Sequence, residues 1–125
     1  MLQIFILKGA RMKKVVKYLV VEKLEGKEQY YLRFTPEMQD DIGTIGFIQY
    51  KNTDKKVLHK DDIFLNLEAS KAILTLKMPF DASVVEINKD AMANPKLLSS
   101  PNENENWVMI LSDIDPKTLE QLEDF

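Results

Sequence analysis

Two stretches of alternating apolar and polar residues, joined by a very short link, constrain the fold of this chain more than any other feature. In the first stretch Ile63, Leu65 and Leu67 alternate with Phe64, Asn66 and Glu68, and in the second Ala72, Leu74, Leu76 and Met78 alternate with Ile73, Thr75 and Lys77. A period of two is that of a β-strand with one face against the core. The link Ala69-Ser70-Lys71 therefore predicts a β-hairpin with Lys71 at its tip.

The rest of the chain predicts short strands and brief helices. Runs rich in β-branched and aromatic residues predict strands over 15–21, 29–34, 44–50, 83–88 and 106–111, with a turn at 25–27. A capping residue followed by proline, at 35–36 and again at 115–116, predicts two helices, which end at Gly43 and at residue 122. We expect a loop over 51–61 and a turn at 94–95. Because strands and helices do not alternate regularly along the chain, the order of elements favours a mainly β protein, either a small sandwich or a barrel.

Length and composition predict one domain over residues 12–125, preceded by a tail. A chain of 125 residues suits a single core, and Met12 resembles a second start. We therefore expect residues 1–11 to be an appended or alternatively initiated segment. Its apolar run is too short to span a membrane, so we predict no membrane attachment.

The residue inventory argues against several chemistries. The chain has no cysteine, which excludes disulfides and thiolate zinc sites and permits a reducing compartment, and we expect a cytoplasmic protein. Its one histidine, His59, lies in a charged run without an evident partner, so we predict no catalytic residue and no metal site. The net charge of −3 disfavours a nucleic-acid partner. Gly43 and Gly46 match a nucleic-acid GxxG loop in spacing only, and we interpret them as structural glycines.

Pattern alone does not give Lys71 a function. A lysine between small residues in a tight link must project from the fold, because both strand faces are already committed. On pattern alone, an ordinary solvated lysine is the favoured interpretation of this position. A Schiff-base lysine would need burial or a neighbouring cation to lower its pKa, and the sequence suggests neither.

The neighbourhood of Lys71 resembles the lipoylation site of glycine cleavage system H proteins. That family has a glutamate three residues before the modified lysine, a small residue after it and a proline eight residues after it. The positions that carry the resemblance here are Glu68, Lys71, Ala72 and Pro79, followed by Asn88, Pro95, Leu97, Pro101 and Trp107, and preceded by Thr35 and Ile42-Gly43. These residues occur in the family's order over about residues 15–125.

The resemblance implies a carrier protein and not an enzyme. It implies a lipoyl-domain-like barrel-sandwich hybrid with short helices and a C-terminal helix. It further implies that Lys71 carries lipoate in covalent linkage, attached by a lipoate-protein ligase that recognises Glu68 and Ala72. Lipoamide would then supply the chemistry, while the protein presents it to partner enzymes.

Several departures from the family pattern point to its divergent H-like branch. Tyr18-Leu19-Val20 replaces a His-Glu-Trp segment, Lys60-Asp61 replaces lysine-glycine, and Ala82 replaces glycine. The chain is similar to H-like proteins found in some bacteria beside a sirtuin-type ADP-ribosyltransferase and a macrodomain hydrolase. That likeness implies ADP-ribosylation at Asp40, or secondarily at Asp41. From the sequence alone, the favoured interpretation of both residues is a solvated acid in the first turn of the helix, where the helix dipole favours negative charge.

Other interpretations of the carrier stay open. A conventional H protein would shuttle the aminomethyl group between the glycine cleavage enzymes, and a lipoamide-using oxidoreductase is another partner class. A non-lipoylated interaction module of the same fold is a third possibility. Biotinyl attachment is disfavoured because Ser70 and Ala72 stand where that family usually has methionines.

Overall fold

The structure is a computed structural model that describes residues 12–125. Its strands are β1 (Lys13–Val16), β2 (Leu19–Lys23), β3 (Gln29–Phe34), β4 (Ile45–Tyr50), β5 (Val57–Leu58), β6 (Ile63–Ala69), β7 (Ile73–Lys77), β8 (Ala82–Ile87), β9 (Trp107–Ser112) and β10 (Glu123–Asp124). The helices are α1 (Pro36–Ile42), α2 (Lys89–Ala93), a 3₁₀ helix (Pro95–Ser99) and α3 (Pro116–Gln121). The expected tail of residues 1–11 lies outside the described residues, so its boundary stays a prediction.

Two antiparallel sheets enclose the core. The larger sheet has the strand order β10-β1-β2-β3-β9-β8-β5, and the smaller has the order β4-β6-β7. The core residues include Leu32 and Met109 of the larger sheet and Leu65 and Leu67 of the smaller one, all fully buried. Burying a side chain of this size contributes roughly 1.5–3 kcal/mol, so the sheets hold each other through many such contacts. The expectation of a mainly β protein with short helices is confirmed.

The predicted hairpin is present as β6 and β7. Leu74 and Leu76 are half-buried while Ile73 and Thr75 face outward, as the alternation of β7 predicted. In β6 the alternation fails at Phe64, which is fully buried beside the equally buried Leu65. The pairing of β6 with β7 shifts at this point, which turns two successive side chains toward the core.

Two predictions about strands were wrong. The run 15–21 is not one strand, because a turn at Lys17 and Tyr18 divides it into β1 and β2. Lys17 adopts a positive φ of 55°, a conformation usual for glycine or asparagine, so a lysine at this position did not signal the turn. The expected loop 51–61 contains β5, whose Leu58 is fully buried against the core. A strand of two residues is too short to show a period.

The helix α1 follows its capping signals, whereas the region after β8 does not follow the prediction. Thr35 accepts a hydrogen bond from the Met38 backbone N–H at 3.2 Å, Pro36 occupies the first turn, and Gly43 ends the helix. α3 begins as predicted after Asp115. The expected turn at 94–95 proves to be the junction between α2 and the 3₁₀ helix. Both helices have five residues, less than the length over which helical periodicity becomes visible.

No helix within residues 12–125 is both long enough and apolar enough to cross a bilayer.

Candidate functional site at the hairpin tip

Lys71 lies in the bend between β6 and β7, and its side chain is exposed. The Ala69 N–H donates to the Ala72 carbonyl at 2.8 Å and closes the turn. Neither Ser70 nor Lys71 has a positive φ, so the turn is not of the primed types that usually close two-residue hairpins. Other contacts must therefore fix its shape.

Those contacts come from the last residue of α1 and from the loop that follows it. The Ser70 N–H donates to the Thr44 carbonyl at 2.9 Å, and the Lys71 N–H donates to the Ile42 carbonyl at 2.8 Å. In return the Thr44 N–H donates to Ser70 Oγ at 3.1 Å. We call this set of three hydrogen bonds the tip clamp. It fixes the backbone of Lys71 while leaving the side chain free, which is the geometry a tethered arm requires.

Gly43 makes the tip clamp possible. A Cβ atom at this position would lie 2.1 Å from Ser70 Oγ, which is far too close for two non-bonded atoms. The backbone has φ 78° and ψ −152°, a region that only glycine adopts readily. Gly43 was predicted to end α1, but its close approach to the hairpin was not predicted. The interpretation of Gly43 as a structural glycine agrees with this contact.

The tip clamp also brings α1 and its acidic pair to the hairpin tip. Asp40 and Asp41 are exposed in the last turn of α1, and Asp41 directly precedes Ile42, whose carbonyl accepts from Lys71. The Tyr18 hydroxyl donates to Asp41 Oδ2 at 2.9 Å, and this bond raises the pKa of the phenol. The Asp40 carboxylate makes no hydrogen bond or ion pair with the described residues. Two sites predicted from separate stretches of sequence thus lie at one surface.

Glu68 stands on the outer face of the three-stranded sheet, just before the tip. Its Cα partners are Phe47 on β4 and Ile73 on β7. The side chain is exposed and makes no hydrogen bond or ion pair within residues 12–125. Ala72, the other predicted recognition residue, is half-buried and packs against the core. Glu68 is therefore free to bind a partner. Ala72 has a small side chain that packs against the core, so it leaves space beside Lys71.

Comparisons with known proteins place this geometry in a family. The sequence profile described as Glycine cleavage H-protein matches residues 13–125. The chain belongs to this family. It is 38% identical over 104 residues to a "Glycine cleavage system H-like protein" of Staphylococcus aureus, covering 83% of this chain and 91% of that one. It is 29% identical over 102 residues to a "Glycine cleavage system H protein" of Oceanobacillus iheyensis, covering 82% and 79%.

A solved structure of the family confirms the fold. A glycine cleavage system H protein from Mycobacterium marinum superimposes with a TM-score of 0.67, covering 83% of this chain and 84% of that one. Only 16% of the aligned residues are identical, so the likeness speaks for the fold alone. The predicted barrel-sandwich hybrid is confirmed.

Some residues that carried the family resemblance are structural in this chain. Asn88 is 4% exposed, and its Nδ2 donates to the carbonyls of Glu105 and Trp107 at 2.9 and 2.8 Å. Its Oδ1 also accepts from the Ala91 N–H, which caps α2. Asn88 therefore ties β8, β9 and α2 together, and a buried amide with its bonds satisfied has no capacity left for a ligand.

Asp61, which departs from the glycine of the H-protein pattern, adopts a backbone conformation that is typical of glycine. Asp61 has a φ of 74°, and its N–H donates to the Met78 carbonyl at 2.8 Å across the base of the hairpin. Aspartate tolerates this left-handed conformation better than most residues. His59 lies at the same end of β6, exposed and with Nδ1 3.7 Å from Asp81 Oδ1. It is thus at the opposite end of β6 from Lys71.

We expect Gly43→Ala to lower the free energy of unfolding by about 2–4 kcal/mol, because backbone strain adds to the collision with Ser70. Ser70→Ala alone should cost about 1 kcal/mol, the value of one hydrogen bond. Urea denaturation measures both. Since the double variant removes the colliding oxygen, it should lose less than the sum of the two single losses.

Gly46→Ala is the matched control for this experiment. A Cβ at Gly46 would lie 3.9 Å from its nearest neighbour, an ordinary contact, and the residue has no positive φ. Its free energy of unfolding should change by less than about 1 kcal/mol. Strictly additive losses in the double variant would show that Gly43 and Ser70 do not collide.

Proposed function

We propose that this protein is a lipoyl carrier in which Lys71 Nζ bears lipoate through an amide bond. The family to which the chain belongs consists of carrier proteins that hold lipoate on a lysine, and the resemblance assigns that lysine to Lys71. The observation that supports the assignment most strongly is a free, exposed amine on a backbone held by the tip clamp. A moving arm on a fixed base allows one domain to serve several partner sites.

The residues around Lys71 fit a lipoyl group. Ser70 and Ala72 are small, and Lys71 itself is exposed, so the chain leaves room for an acyl arm. Amide formation removes the lysine charge, which lowers the cost of moving the side chain from water into a partner's channel. Bound lipoamide supplies a dithiolane that accepts and releases groups. The protein's own part is to present the arm and to dock.

Recognition by a lipoate-protein ligase is the first docking event in this proposal. Glu68 carries a free carboxylate two strand positions before the bend, within the area that any enzyme acting on Lys71 must cover. A cationic side chain of the ligase would bind it. Ala72 contributes by leaving space beside the lysine.

Lys71→Arg should abolish lipoylation completely, because the guanidinium cannot form the amide. The measurement is intact mass after expression with a lipoate-protein ligase. Lys77→Arg on the same hairpin is the control, since Lys77 is also exposed but lies at the other end of β7. An unaltered protein that gains no lipoyl group would favour the non-lipoylated interaction module instead.

Glu68→Gln should raise the ligase KM for this protein about tenfold, the loss of one charge-assisted hydrogen bond, with kcat little changed. Steady-state lipoylation of the purified protein measures both constants. Glu86→Gln, an exposed glutamate on β8, is the matched control and should behave as the unaltered protein. Equal KM values for the two variants would remove Glu68 from ligase recognition.

The second part of the proposal is regulation by ADP-ribosylation, with a sirtuin-type transferase and a macrodomain hydrolase as partners. In this step a carboxylate oxygen attacks the ribose carbon of NAD that bears nicotinamide. The new C–O bond forms as the C–N bond breaks, and nicotinamide leaves with the bonding electrons. The H-like relative in Staphylococcus aureus supports the assignment to the divergent branch. A bulky, anionic group on α1 would stand beside the lipoyl arm.

Asp40 suits this role better than Asp41. The Asp41 carboxylate accepts the Tyr18 hydroxyl, which withdraws electron density from the oxygen and occupies one of its faces. Asp40 is exposed and makes no such bond with the described residues. Its oxygens are therefore free to act as nucleophiles.

Asp40→Asn should remove most ADP-ribosylation by the host's transferase, whereas Asp41→Asn should retain it. Peptide mass mapping of the reacted protein locates the modification. Adding Tyr18→Phe to Asp40→Asn frees the Asp41 carboxylate, and we expect partial return of the modification at Asp41. Full labelling of Asp40→Asn at another residue would contradict the assignment.

Conventional glycine cleavage is the second candidate function. The Oceanobacillus iheyensis relative is named a glycine cleavage system H protein, which favours it. Tyr18 and Asp61 replace residues of the usual H-protein pattern. These replacements favour other partners, such as a lipoamide-using oxidoreductase. Aminomethyl loading of the lipoylated protein by glycine decarboxylase, followed by transfer to aminomethyltransferase, separates the two functions.

A further inference from the structure

The outer face of the three-stranded sheet carries an apolar row beside the hairpin tip. The strand registers place Phe47, Glu68 and Ile73 next to one another across β4, β6 and β7. Phe47 is 49% exposed and Ile73 is 78% exposed. Two large apolar side chains therefore flank the free Glu68 carboxylate in open solvent. We call these three residues the docking row.

Apolar exposure on this face is confined to the end nearest Lys71. The next row away from the tip is polar and consists of Gln49, Asn66 and Thr75, with Thr75 Oγ1 donating to Asn66 Oδ1 at 3.2 Å. The neighbouring residues Ile48 and Leu67 face inward and are buried in the core. The docking row faces the other way and lies outside the core. Single exposed apolar residues are ordinary on a protein surface. Two such residues that flank a carboxylate beside the proposed modification site indicate a surface that binds a partner.

We infer that the docking row is the binding surface for the enzyme that acylates Lys71. This enzyme makes apolar contacts with Phe47 and Ile73 and places a cationic group between them. The inference rests on the proposed function. An enzyme that reaches Lys71 Nζ must cover the surface around the tip, since a stable interface buries about 800 Å² per partner. Ile73 is two residues from Lys71, so the row falls inside that footprint.

The charges around the tip identify the same kind of partner. Besides Glu68, the exposed carboxylates of Asp40 and Asp41 lie on the helix clamped to the tip, and the last turn of α1 has no basic residue. The surface therefore combines exposed carboxylates with the apolar side chains of the docking row, which is complementary to a partner surface that combines basic and apolar groups.

The test is steady-state lipoylation of the full-length protein by the lipoate-protein ligase of its host. Phe47→Thr and Ile73→Thr keep strand propensity while removing apolar area, and each should raise the KM for the protein about tenfold with kcat within about twofold. Val85→Thr is the control, because Val85 is 45% exposed on β8 of the other sheet. Its KM should equal that of the unaltered protein. Ile73→Val should restore most of the affinity.

The outcomes separate this inference from the proposed function. If the ligase leaves the unaltered protein unmodified, the proposed carrier function fails and the docking row fails with it. If the unaltered protein is lipoylated while the Phe47 and Ile73 variants match Val85→Thr, only the docking row is overturned. A fall in kcat at unchanged KM also overturns it, because the row would then position the lysine instead of binding the enzyme. Thermal unfolding of each variant verifies that folding is retained.

Discussion

The close approach of Gly43 to Ser70 is the contact on which the candidate site depends. Because Gly43 has no Cβ, the loop after α1 comes near enough to exchange three hydrogen bonds with the hairpin tip. Those bonds decide where the Lys71 side chain leaves the surface. A turn made of Ser70 and Lys71 has neither glycine nor positive φ to hold its own shape. The neighbouring loop therefore supplies the rigidity that the turn lacks.

The two faces of the three-stranded sheet differ in their surroundings. Inward, Leu65 and Leu67 are fully buried and fix the hairpin to the core. Outward, Glu68 and Ile73 are exposed, so their replacement should cost the fold little. The tip clamp holds the far end of the same hairpin. The hairpin is thus fixed along its inner face and at its tip, and the exposed Lys71 side chain projects from that fixed base.

Local signals in the sequence sufficed for the hairpin, the cap of α1 at Thr35 and the closing helix, because each depends on residues close together in the chain. They did not suffice for the turn at Lys17, where a lysine takes a conformation usual for glycine. Nor did they reveal that Gly43 meets Ser70, a contact between residues 27 positions apart. The lysine itself could be selected only by resemblance to a family, since an exposed lysine in a turn has no distinctive pattern.

One departure from the H-protein pattern, at Tyr18, lies beside the hairpin tip, whereas Asp61 lies at the base of the hairpin. Tyr18 begins the segment that replaces the family's His-Glu-Trp, and its hydroxyl donates to Asp41 on α1. Asp41 in turn precedes the carbonyl that accepts from Lys71. A change at the β1–β2 turn and an acidic pair on α1 are thus parts of one surface beside Lys71. The replacement of the usual segment therefore changes the chemistry of this surface, because a phenol bonded to a carboxylate lies there.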